Sequence, residues 1–188
     1  FLVGNYPQKL LETRPKELSK MKFRIYASPE QIDFASIEIL KKLNVQEIFL
    51  GIESANESIL RIAGKKYSFI QINDAINLIN KAGIGLQVPF IFGLPGETEE
   101  SLEESYAYCK YLMSNYPSTK LLINLSFPLV GSALFEDLIK NKYVREEYYG
   151  DLDNTDFFDY GKLIELQIKY TTSVTYFQAV DYLEKTMN

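Results

Sequence analysis

The sequence predicts an α/β fold built on a parallel sheet. Short segments rich in β-branched and aromatic residues alternate with amphipathic helical segments, and no two strand segments lie close enough for a tight hairpin. Each return must therefore be a right-handed crossover, which makes neighbouring strands parallel. The strand segments are also nearly continuous in apolar character, as strands covered on both faces should be. A closed barrel, an open barrel and a doubly wound sheet all satisfy this pattern.

The elements follow in order. At the front, "FLVG" (1–4) reads as a strand and "PQKLLETRPKELSK" (7–20) as a helix. The strand "KFRIYA" (22–27) leads to a helix opened by Ser28, with Pro29 at its first position and Gln31 closing a capping box. Ile32, Ala35, Ile39 and Leu43 are its expected inner face, and Asn44 its stop. After the strand "QEIFLGI" (46–52), Ser68 and Gln71 form a second capping box. Ile72, Ala75, Ile76 and Ile79 follow as an apolar stripe, and Gly83 supplies the left-handed terminus. The strand "IGLQVPFIFG" (84–93) precedes a helix from about Glu99 to Met113, with Leu102, Tyr106, Cys109 and Met113 expected inside. A strand "KLLINLSF" (120–127) and a helix "SALFEDLIKN" (132–141) complete the alternation.

Composition restricts the chemistry. The 188 residues are 46% hydrophobic and 24% charged, which suits one sizeable core. A formal charge of -5 disfavours nucleic acid and anionic lipid as partners. Histidine is absent, and with it the commonest general base and the commonest transition-metal ligand. The lone cysteine, Cys109, excludes an internal disulfide and a cysteine metal cage made by this chain alone. No apolar run reaches the ~20 residues that span a bilayer, and the start has no basic region before an apolar one, so a cytoplasmic chain is expected. Because it begins at Phe1 and not Met, further sequence upstream is expected.

In every fold compatible with the pattern, ligands gather at the carboxyl ends of the strands. That singles out Asn5, Ser28, Glu53 with Ser54, Gly93 to Gly96, and Asn124, Ser126 and Gly131. In "FIFGLPGETEES" (90–101), Gly93 and Gly96 are expected to let exposed backbone approach a ligand, with Pro95 stiffening the turn between them. The same stretch also reads as an ordinary βα turn with Thr98 as a helix cap. Cys109 reads as a buried, inert thiol on the apolar face of its helix.

"GIES" (51–54), "AINLINKAGIGL" (75–86), "FIFGLPGETEES" (90–101) and "SFPLVGSALFEDL" (126–138), in this order and spacing, resemble the later part of the radical S-adenosylmethionine (radical SAM) barrel. The nearest likeness is to members with an upstream cobalamin-binding domain, including the anaerobic Mg-protoporphyrin monomethyl ester cyclase-like group. The resemblance implies a partial (β/α) barrel of parallel strands with outer helices over residues 1–140; residues 141–188 lie outside it and read as a C-terminal helical extension packing on the barrel. It also implies S-adenosylmethionine and a 4Fe-4S cluster in the intact parent, an oxidoreductase or transferase, with cobalamin as a further cofactor of some members. In such enzymes the cluster sits on a C-x3-C-x2-C loop, and reductive cleavage of the sulfonium gives a 5'-deoxyadenosyl radical. That loop is not in this sequence, so the chain is expected to be a fragment of a larger enzyme, inactive alone and binding no cofactor by itself.

Carried over position by position, Glu53 and Ser54 match the polar pair facing the ribose and methionine side of the cofactor. Lys65 stands where relatives often carry an arginine that meets the cofactor carboxylate, keeping the charge but losing the bidentate fork. Pro89 replaces an aspartate often found in "DLIFGLPG". Gly93, Leu94 and Pro95 match the stretch passing near the adenine, Asn124 and Ser126 are expected to bond adenine or substrate, and Asn5 is matched to a residue near the cofactor amino group. Each polar residue has an ordinary structural alternative: Glu53 bonded to backbone amides, Lys65 solvated, Asn124 and Ser126 filling a polar layer.

Residues 141–188 mix acids with aromatics and then read as two helices, "KLIELQIKY" (162–170) and "YFQAVDYLEKTMN" (176–188), separated by "TTSVT" (171–175). They are expected to cover the barrel, as a substrate-shaping lid or as core cover. Three functions fit the sequence: part of a radical SAM enzyme, a non-catalytic barrel that binds a partner, or an unrelated βα enzyme holding a nucleotide or phosphate at the Gly-Leu-Pro-Gly turn. The open barrel edge is expected to pair with a second copy.

Overall fold

The computed structural model describes residues 2, 4, 6–144 and 160–187. Strands β1 (Phe23–Ala27), β2 (Val45–Leu50), β3 (Gly85–Phe92) and β4 (Lys120–Leu125) form one sheet in the order β1-β2-β3-β4. β1 runs parallel to β2, and β2 parallel to β3. The crossovers carry α1 (Tyr6–Thr13) before the sheet, then α2 (Phe34–Lys42), α3 (Glu57–Ile62), α4 (Phe69–Lys81) and α5 (Glu99–Asn115). After β4 come α6 (Ala133–Lys140), α7 (Tyr160–Thr171) and α8 (Tyr176–Met187). Residues 1 and 3 of the expected front strand lie outside the described residues, as does Asn5 after it, while Leu2 and Gly4 carry no strand.

The chain divides into two compact units, residues 1–90 with 107–122 and residues 91–106 with 123–188.

In the first unit the helix expected from Ser28 onward is broken in two. The Ser28–Gln31 capping box is present, but it closes a single 3-10 turn, Pro29–Gln31. A second box, Asp33 with Ser36, then starts α2: Ser36 N donates to Asp33 Oδ1 at 2.7 Å, and Asp33 N to Ser36 Oγ at 2.8 Å. Restarting at Phe34 resets the helical phase, so Ile37, Leu40 and Leu43 turn inward, Ala35 is exposed and Ile39 is half-buried. Ile32 is buried as expected. α4 forms as its sequence dictates. Ser68 and Gln71 exchange both capping bonds, Ile72, Ala75, Ile76 and Ile79 are buried, and Gly83 takes φ 69°. Each buried isoleucine of this stripe contributes on the order of 2 kcal/mol. On α5, Cys109 and Leu112 are buried and Met113 is exposed, so Leu112 takes the inner position that spacing assigned to Met113.

In the second unit, α7 and α8 flank the expected break at 171–175. They pack in one core of Phe92, Leu102, Ile168, Val174, Ala179 and Tyr182. Tyr182 stacks edge-on to Tyr106 and donates its hydroxyl to Glu103 Oε2 at 2.8 Å, so its polar end is satisfied where its ring is buried. Phe135, Leu138, Val144, Leu163 and Leu166 form a second core. The last expected strand ends at Leu125, and Ser126 N donates to Phe92 O at 2.7 Å. Among the described residues no helix is long and apolar enough to cross a membrane.

Candidate functional site

The end of β2 is built around a proline. Pro89 in β3 has no N–H, so a regular ladder cannot run through it. β2 and β3 pair from Glu47↔Gly85 to Phe49↔Gln87, and pairing resumes at Glu53↔Phe90, four residues on along one strand but three along the other. The extra residue is accommodated by Glu53 at φ 71°, whose N donates to Pro89 O at 3.1 Å. The carbonyls of Gly51 and Ile52 accept instead from the Tyr67 hydroxyl, at 2.7 and 3.2 Å. Burial, with the charges of Glu53 and Glu30 adding to it, raises the Tyr67 phenol well above its ordinary value and keeps it a donor.

Lys65 reaches this bulge through α3, a helix too short to show a periodic signal. Asn56 caps it by accepting from Ser58 N and Ile59 N, and Gly64 at φ 74° closes it, with Lys65 N donating to Leu60 O at 2.9 Å. Lys65 Nζ then lies 3.3 Å from Glu53 Oε1, with 32% and 17% of the two side chains exposed. A Cβ on Gly51 would lie 3.2 Å from the same Oε1, so the glycine leaves room for the carboxylate. Glu53 and Lys65 are thus brought together as a partly exposed pair. Ser54 is fully buried, and its Oγ accepts from Asn56 N at 3.2 Å at the entry to α3.

In the second unit, Gly93, Leu94 and Pro95 form the turn after β3, and its polar backbone faces inward. Gly93 N and Leu94 N donate to the Glu97 carboxylate, and Leu94 O accepts from Glu97 N at 3.0 Å. Gly93 O accepts from Gln167 Nε2 at 2.8 Å, and Gly96 N donates to Thr171 O at 2.7 Å. The exposed amides expected here are therefore already engaged, and what the turn leaves outward is the half-buried apolar ledge of Leu94 and Pro95. Gly93 has φ 84°, and a Cβ on it would meet Ile168 at 2.8 Å; the close approach this glycine permits is to α7. Ser126 is buried beside Gly93, whereas Asn124 is exposed on β4.

Glu97 is the site residue that sequence reasoning missed. It is fully buried, and burial pushes its carboxyl up to about 8 against the opposing effect of the Gly93 and Leu94 N–H groups. Its signal was available: Thr98 and Ser101 exchange capping bonds at the head of α5, which leaves Glu97 outside the helix and next to a buried strand end.

A model of the Radical SAM superfamily matches residues 4–109. The chain belongs to that superfamily. Over 100 residues it is 27% identical to the heme chaperone HemW of Lactococcus lactis subsp. lactis, covering 53% of this chain and 26% of that protein. Over 70 residues it is 34% identical to the anaerobic magnesium-protoporphyrin IX monomethyl ester cyclase of Cereibacter sphaeroides, covering 37% of this chain and 11% of that protein. This radical SAM chain thus spans about a quarter or less of the length of these relatives. The radical SAM methyltransferase TsrM from Kitasatospora setae, solved with cobalamin and a 4Fe-4S cluster bound, superposes with a TM-score of 0.55 at 20% identity, over 64% of this chain and 24% of that one. The likeness agrees with the expected partial barrel.

The residues present fit one family cofactor and not the other. Glu53 and Lys65 offer opposite, partly exposed charges suited to the amino and carboxylate groups of S-adenosylmethionine. No group of three or more His, Cys, Asp or Glu side chains among the described residues is placed to hold a metal. Cys109 is buried on α5, and burial pushes its thiol up to about 12, the opposite of what a thiolate ligand needs. The described residues do not fit a 4Fe-4S cluster.

Proposed function

We propose that this chain is the later part of a radical SAM barrel and supplies contacts to S-adenosylmethionine, the cluster ligands belonging to another part of a longer protein. In that reading the parent is an oxidoreductase or transferase that cleaves S-adenosylmethionine reductively, and these 188 residues alone are inactive. The observation that carries the reading is the Glu53–Lys65 pair at the carboxyl end of a parallel strand, within the stretch matched by the superfamily.

Each contact is proposed within its own unit. Lys65 meets the cofactor carboxylate as a single charged donor, and Glu53, held in its bulge, accepts from the amino group. In the second unit the Leu94–Pro95 ledge offers an apolar surface for the adenine face, with the Asn124 amide and the Ser126 hydroxyl as polar partners.

The test has two arms. The natural gene product, expressed anaerobically, should contain iron and sulfide and form 5'-deoxyadenosine; a cluster-free, inert product ends the parent assignment. In the same gene product, S-adenosylhomocysteine serves as a cluster-independent probe followed by calorimetry. Lys65→Met should weaken its binding about tenfold, on the scale of one lost charge-assisted contact. Equal affinity in the variant removes Lys65 from the site.

A further inference from the structure

The turn that carries Leu94 and Pro95 does not hold its own shape. Its hydrogen bonds divide between two sources: Glu97, the next residue along the chain, and the segment 167–173, which lies beyond the stretch matched by the superfamily. From that segment Gln167 Nε2 binds Gly93 O, Thr171 O takes Gly96 N–H, and Ser173 N donates to Glu97 O at 2.8 Å. Ile168 fills the space where a Cβ of Gly93 would stand.

Gln167 is an expensive residue for mere cover. It is fully buried on α7, and among the described residues its Oε1 accepts no hydrogen bond, nor does Oε1 of Glu97. A helix that only had to close an apolar core would be served better by leucine or methionine at this position. What the amide achieves is specific: its Nε2 also donates to Thr171 Oγ1 at 2.8 Å, and Thr171 Oγ1 donates back to Gln167 O at 2.9 Å. Both Nε2 hydrogens are therefore used. Turning the amide over would set Oε1 against the Gly93 carbonyl oxygen, so its orientation is fixed.

We infer that α7 is a positioning clamp for the Gly93–Gly96 turn, with Gln167 as its principal positioning residue. The clamp sets the Leu94–Pro95 ledge for an adenosyl ligand, a role that rests on the proposed function above. The C-terminal helices are then part of the ligand-binding apparatus: affinity at the ledge depends on a side chain that never touches the ligand.

Gln167→Met keeps the volume and removes the donor, and two readouts on the natural gene product test it. Amide hydrogen exchange at Gly93, Leu94 and Gly96 should accelerate about tenfold, a local opening made easier by the loss of one buried hydrogen bond, while β2 amides keep their protection. S-adenosylhomocysteine affinity should fall about tenfold. Turn amides exchanging at the wild-type rate, with affinity unchanged, overturn the inference. Should Gln167→Met fail to fold, Thr171→Val, which removes the hydroxyl that orients the amide, must move both readouts in the same direction. If the unaltered gene product does not bind S-adenosylhomocysteine, the adenosyl reading fails on its own, and exchange alone decides the clamp: acceleration upholds it and wild-type rates overturn it.

Discussion

Gly93 shows how much a missing methyl group can carry. Its φ of 84° costs a side-chain-bearing residue about 1–2 kcal/mol, and the contact with Ile168 adds an overpacking penalty of similar size. Gly93→Ala should therefore lose about 2–4 kcal/mol in urea denaturation. Adding Ile168→Ala should recover the steric part relative to Ile168→Ala alone and leave the backbone part. A double mutant in which the alanine costs as much as before places the strain elsewhere. Glu97 makes a prediction about pH. Its folded carboxyl titrates at about 8 and its unfolded one near the ordinary 4.5, so between these values the folded state keeps a proton that the unfolded state has released. Stability is greatest below the lower value and declines as pH rises, by at most about 1.4 kcal/mol per unit, until Glu97 itself ionises. Urea midpoints from pH about 5 to about 8 should fall in the wild type, and Glu97→Gln should remove most of that fall. Parallel curves for the two proteins would sink the assignment. At this scale the sequence shows where a glycine turn sits, but not whether its backbone faces a ligand or the protein. That was decided by Gln167 and Ile168, far along the chain.

Elements were legible where the signals that form them are local. The Ser68–Gln71 box and the stripe from Ile72 to Ile79 fix α4 without outside help. The Ser28–Gln31 box is as good a motif and leads astray, because Asp33 and Ser36 supply a competing start five positions later and the real helix takes its phase from them. α3 is six residues long, so only its caps announce it. Those caps matter for the site, since they deliver Lys65 to Glu53. Asn56→Ala should cost about 1 kcal/mol in denaturation, the usual worth of such a cap, and should weaken S-adenosylhomocysteine binding in the direction of Lys65→Met. Binding equal to wild type would show that Lys65 needs no help from α3. The bulge at Glu53 was not visible at all, being a product of two strands: a proline in one strand displaces the other. A second cross-strand device lies at Glu47, whose carboxylate is held below its ordinary range, first by the hydrogen bond from Lys120 on β4. Gly85 on the intervening strand has no side chain to obstruct that reach.

Across the whole molecule, the alternation of strands and helices and the parallel pairing were readable from spacing, and the superfamily from four motifs in register. The dependence of the second unit on α7 and α8 was not, because residues after 141 match no motif. Phe92 and Leu102 share their core with Ile168, Val174, Ala179 and Tyr182. A chain ending at Val144 should therefore expose this apolar surface, bind a hydrophobic dye and show reduced near-ultraviolet dichroism, whereas native-like spectra would mean that the two helices are dispensable. The division of labour at the Gly93 turn also bears on protein engineering. Chimeras assembled from homologous barrels ought to transplant residues 93–97 and 167–173 as one cassette. A crossover point that separates them leaves the recipient's carbonyl without its amide, and a library randomising one half must randomise the other.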